Sequence, residues 1–117
     1  MKQIVCLSYA PWRSRANRTQ QLLARLSDAK ILFFEPAPPK GVPMPEQGRR
    51  VRSHITVYTL PVPLPGPQEQ SVFARRRLDK VSNFIQKTMH KHHFREPVLW
   101  CTAPVPAHFQ DRLADRG

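Results

Sequence analysis

The sequence predicts a three-layer, Rossmann-like α/β domain with a mostly parallel sheet of about four strands. Two observations carry that prediction. Short apolar runs rich in Val, Ile, Leu and Phe alternate along the chain with segments of helical periodicity. The runs are also nearly continuous rather than alternating in polarity, as strands buried on both faces are. Leu, Ile, Val and Phe make up 29 of the 117 residues, enough apolar surface to fold one domain and too little chain for two.

Residues 3–9 fall within the first run, QIVCLSYA, which Pro11 ends. A basic segment follows, and Asn17 with Gln20 three residues on has the pattern of a capping box. A helix is expected over about 18–27, with Leu22, Leu23 and Leu26 towards the core. The second strand is expected at 30–35 (KILFFE), stopped by Pro36. Residues 36–54 contain five prolines and two glycines and read as one long Pro-rich loop. The third strand is ITVYTL at 55–60, left through Pro61, Pro63, Pro65 and Pro67 in an extended, polyproline-like path.

Residues 70–92 form the longest predicted helix. Ala74, Leu78, Val81, Ile85 and Met89 recur at spacings of three and four, and Arg75, Arg76, Lys80 and Lys87 take the opposite face. A fourth strand is expected at 97–103 and a further helix from 107 to 115. The expected strand order is 3-2-1-4, which puts Cys6 and Cys101 on neighbouring strands. Four strands with an open edge are an incomplete doubly wound sheet. A piece of a longer protein that self-associates through that edge is therefore expected.

The charge of +11 calls for an anionic partner. No apolar run is long enough for a membrane span, and Met1–Leu7 is too short for a signal peptide, so a cytoplasmic location is expected. Two cysteines 95 positions apart make neither a disulfide framework nor a zinc site, and both are expected as buried thiols. The turn after the first strand, Tyr9-Ala10-Pro11-Trp12-Arg13-Ser14, has no glycine, which excludes a dinucleotide or P-loop site there; no cofactor is expected. That turn instead offers Trp12, Arg13, Arg15 and Arg18 before a helix N-terminus, a combination suited to an anion or a sugar. The competing reading is an ordinary solvated loop with Trp12 packed on the sheet.

His90, His92 and His93 lack a carboxylate or cysteine to complete a metal site, so no metal is expected. Ser8 and His108 lie near strand ends, but no nucleophile elbow links them; His108 reads better as a polar cleft residue. Glu35 closes the second strand, where it either binds a hydroxyl or simply caps the strand.

The segments IVCLSYAPW, RTQQLLARL, ILFFEPAPP, TLPVPLP and PVLWCTAP, in this order, resemble the N-terminal domain of GT-B fold glycosyltransferases. They resemble in particular bacterial cell-surface polysaccharide enzymes like the teichuronic-acid glycosyltransferases. The resemblance implies an acceptor-side domain of a two-domain enzyme, with the nucleotide sugar bound mainly by the other domain. It also implies a glycan or lipid-linked acceptor, Arg18, Gln21 and Glu35 as cleft residues, and catalytic inactivity of this chain alone. An anionic lipid surface at the inner face of the membrane would suit the basic composition. The alternative is a basic α/β module without chemistry that binds nucleic acid or lipid. Nucleic acid is disfavoured, because no basic residue alternates with Phe33 and Phe34.

Overall fold

A computed structural model describes residues 2–12, 18–65 and 71–103. They form a mixed α/β fold: β1 (Lys2–Leu7), α1 (Arg18–Arg25), β2 (Ala29–Glu35), β3 (Arg49–Arg52), β4 (Ile55–Thr59), α2 (Val72–Lys91) and β5 (Val98–Cys101). The expected helix at 107–115 and the cap at Asn17 lie outside the described residues.

The sheet runs β3-β4-β2-β1-β5. β1 pairs in parallel with β2 and β5, and β2 pairs in parallel with β4. The expected four-stranded sheet is thus corrected to five strands. The added strand, β3, pairs antiparallel to β4 and comes from the 36–54 stretch read as one Pro-rich loop. Its sequence, Arg-Arg-Val-Arg, has almost no apolar signal. It is a strand because a tight hairpin returns it onto β4, with an irregular register between Arg50 and Arg52. At that edge the charged side chains of Arg50 and Arg52 stay exposed, which discourages further pairing.

Side chains alternate across the sheet, so each strand feeds two cores. Val5, Leu7, Leu32, Phe34 and Tyr58 face one way and meet Leu78, Val81, Ile85 and Met89 of α2. Ile4, Cys6, Ile31, Phe33, Ile55 and Val57 face the other way, against Trp12 and Leu23 of α1. Of the three leucines expected inward on the first helix, only Leu23 is buried. Successive helical residues turn about 100°, so Leu22 points well away from Leu23. The sheet takes Leu23, and Leu26 lies beyond the last helical residue, Arg25.

Cys6 and Cys101 are free thiols on adjacent strands, but they belong to opposite faces. Burial pushes the Cys6 thiol up to about 12, with a smaller contribution from Cys101. Burial also raises Cys101.

α2 is closed at both ends. The Ser71 hydroxyl accepts from Ala74 N–H at 3.1 Å, a regular N-cap. At the other end Phe94 N–H donates to the Met89 carbonyl at 2.8 Å, which returns the Phe94 ring to the core. The turn passes through His93 at φ 59°, a left-handed conformation usually left to glycine. Gln3 of β1 holds that turn: its amide donates to the His93 carbonyl, and its carbonyl accepts from Arg95 N–H at 3.0 Å. His92 hydrogen-bonds the Tyr58 hydroxyl at 2.7 Å, beneath Phe84 and Phe94.

Replacing Leu78, 5% exposed against the sheet, by Ala should cost about 2–5 kcal/mol in urea unfolding. A loss below about 0.5 kcal/mol would show that this face of α2 does not pack as described. Burial, then the charges of Lys30, Lys91, Arg50 and His93, hold the His92 imidazole below its usual value of 6.5. As pH falls below that value the unfolded chain binds a proton that the folded chain resists, so stability should fall. Urea midpoints of the native chain and His92→Gln, compared from about pH 7 to about pH 5, should show a shallower decline in the variant. Equal slopes would remove His92 as the responsible group.

Candidate functional site: the cleft at the strand ends

The four parallel strands all end at one edge of the sheet. β1 continues to β2 through α1 on one face, whereas β4 reaches β5 through α2 on the other. The chain therefore departs in opposite senses on the two sides of β1, and the gap between β1 and β5 is the switch point at which open α/β sheets bind ligands. A cleft of about 270 Å³ opens at this edge. Its floor is Ser8, Leu60 and Ala103, and its walls include Pro36, Pro63 and Leu64. Prolines lack an N–H, so these walls offer carbon surface and few donors.

The floor is fixed by short hydrogen bonds. The Ser8 hydroxyl donates to the Ala10 carbonyl at 2.8 Å and accepts from Ala10 N–H at 3.1 Å. This makes Ser8 a turn-former with its hydroxyl engaged, not a free nucleophile. Tyr9 N–H donates to the Thr102 hydroxyl at 3.3 Å, tying the ends of β1 and β5 together. The same turn lifts the Tyr9 side chain into solvent at the cleft mouth, 60% exposed.

A second feature closes the ends of β2 and β4. Arg49 of β3 forms an ion pair with Glu35, the last residue of β2. The Gln47 side chain clasps the backbone of Thr59, accepting from its N–H and donating to its carbonyl, both at 2.8 Å. Together they pin the far end of the Pro-rich stretch to the sheet. Thr59 Oγ1 and Arg49 Nε beside this knot are buried without a hydrogen-bond partner.

Among the described residues, those expected at a site do not converge. Trp12 is buried, its ring edge-on to Phe33 at 5.0 Å, so it is core and not an open platform. Arg18 and Gln21 stand exposed on α1, and neither lines the cleft. Glu35 is at its expected strand end, but its carboxylate is engaged by Arg49. Arg13, Arg15 and His108 lie outside the described residues. His92, of the histidine tract, is spent on Tyr58. No group of three His, Cys, Asp or Glu among the described residues is placed to hold a metal.

Tyr9, Gln47 and Arg49 were missed by sequence reasoning. Tyr9 fell inside the first apolar run, read as strand over 3–9, whereas β1 ends at Leu7 and Tyr9 is the second position past it. Gln47 and Arg49 carry no local signal, because their partners lie 12 and 14 positions away. The geometry suits the face of a ring stacked on Tyr9 with a flexible apolar portion along the prolines.

Arg49→Met should cost about 1–3 kcal/mol, because it leaves the buried Glu35 carboxylate unpaired. The double variant Arg49→Met, Glu35→Leu should regain part of that loss. Gln47→Ala should cost about 1 kcal/mol and speed proteolytic cutting within 36–48. Urea titration and timed proteolysis read both effects; silent variants would show that the knot does not tie the segment down.

No known protein family, curated protein or solved structure matches the chain.

Proposed function

We propose that this chain is the acceptor-side α/β domain of a nucleotide-sugar-dependent GT-B glycosyltransferase in cell-surface polysaccharide synthesis. The observation that carries the reading is the cleft at the carboxyl ends of a mostly parallel sheet with both faces covered, its mouth marked by the exposed Tyr9 ring. Sugars present a flat C–H face that stacks on an aromatic ring, and the proline and leucine walls suit the first isoprene units of a lipid-linked acceptor. The glycine-free turn at Ser8–Trp12 does not favour a nucleotide diphosphate here, in keeping with a donor bound by another domain. In this reading Glu35 and Arg49 hold the cleft's rim and do not act on the sugar. The outer face of α2, with six Lys and Arg against one Asp in the helix, favours a second reading: a non-catalytic module that binds an anionic partner.

Amide-resolved NMR titration of the chain separates them. A short-chain prenyl-diphosphate sugar should shift Ser8, Tyr9, Ala37 and Leu64, and uridine-diphosphate glucose should not. Tyr9→Ala should weaken that binding about tenfold. Preferential binding of the nucleotide sugar in the cleft, or no response to the acceptor analogue, would overturn the acceptor-side assignment.

A further inference from the structure

α2 is 20 residues long, and at about 1.5 Å per residue it presents a face of nearly 30 Å. Val72, Arg76, Lys80, Lys87 and Lys91 recur along it at spacings of four and seven, and all are exposed. Residues at such spacings share one helical face. The helix's one acidic residue, Asp79, follows Val72 by seven positions and so borders that stripe; it is half-buried and has an interaction of its own. The stripe thus carries four cations, Arg76, Lys80, Lys87 and Lys91, against that one acid.

Its two ends differ. At the first turn Phe73 and Val72 are 71% and 67% exposed. Towards the last turn a hollow of about 620 Å³ is bordered by Lys87, His90 and Arg95 with the amides of Asn83 and Gln86. Cations next to open apolar side chains are the composition of an interfacial surface: the charges meet headgroups and the apolar groups enter the acyl boundary. Nucleic acid would use the cations but gain little from an aliphatic Val72 beside Phe73. No helix among the described residues is long and apolar enough to cross a membrane.

We propose that the outer face of α2 docks along the surface of an anionic lipid bilayer, with Lys80, Lys87 and Lys91 against the headgroups and Val72–Phe73 inserted at one end. The hollow beside Lys87 and Arg95 then receives a headgroup phosphate. This contact is independent of the cleft and of the glycosyl-transfer reading. It leaves the carboxyl edge of the sheet free.

The test is co-sedimentation of the chain with vesicles of equimolar phosphatidylcholine and phosphatidylglycerol, against phosphatidylcholine alone. Binding should require the anionic lipid and weaken with salt. Removing one cation near such a surface should weaken partition about fivefold, so Lys80→Gln, Lys87→Gln should lose about 25-fold. Phe73→Ser should lose about tenfold. The charge-matched control Arg50→Gln, Arg52→Gln, on the β3 edge, should stay within about twofold of native, and Lys80→Arg, Lys87→Arg should retain binding. Equal loss in the β3 control would show a response to net charge alone and overturn the proposal. So would tighter binding to a duplex oligonucleotide that depends on Lys80 and Lys87 while Phe73→Ser is silent in both assays.

Discussion

The fold depends on burying both faces of two adjacent strands. Val5, Cys6 and Leu7 of β1 and the Ile31–Phe34 run of β2 are essentially free of solvent contact. A sheet in that condition needs a cover on each side, and parallel neighbours supply it, because each crossover must climb over a face to return to the starting edge. α2 provides one cover with a long apolar stripe. Among the described residues the other is thinner: Leu23 from a helix of eight residues, helped by Trp12. Trp12, from a loop, completes that cover beside Leu23.

The same burial made the architecture legible. Unbroken apolar runs stopped by Pro11 and Pro36 mark strands buried on both sides, and the three-and-four spacing from Ala74 to Met89 marks α2 and its inward face. These are local patterns with an energetic cause, so a single sequence displays them. β3 was hidden for the converse reason: Arg49–Arg52 is held by hydrogen bonds to β4 and by an ion pair at Glu35, neither of which leaves a trace in nearby polarity. Prolines in the preceding stretch masked it further, although they stop short of the strand itself.

The site was legible only in its position. The carboxyl edge follows from the order of elements, but which side chains face it depends on turns. Ser8 spends its hydroxyl on Ala10, and that small economy rotates Tyr9 outward while Trp12 turns inward. The competing reading of Trp12, packed on the sheet, is the one the structure has, and the aromatic left at the edge is Tyr9. Glu35 is similar: an acid at a strand end reads equally as a hydroxyl binder or a simple cap until a guanidinium from 14 positions away is found against it. Long-range pairing decides the role of such a residue, and sequence spacing does not reveal it.

The two thiols carry a consequence of register. Leu7 stands opposite Cys101 and Cys6 opposite Trp100, so the sulfurs emerge on different sides of a continuous backbone layer. Oxidation cannot join them while that pairing holds, whatever the ambient potential. Sliding β5 by a single residue would bring the cysteines face to face and would also turn Trp100 and Cys101 over to the wrong cores. The pair thus works as a built-in gauge of strand alignment: a crosslinked chain is one whose edge strand has already been misthreaded.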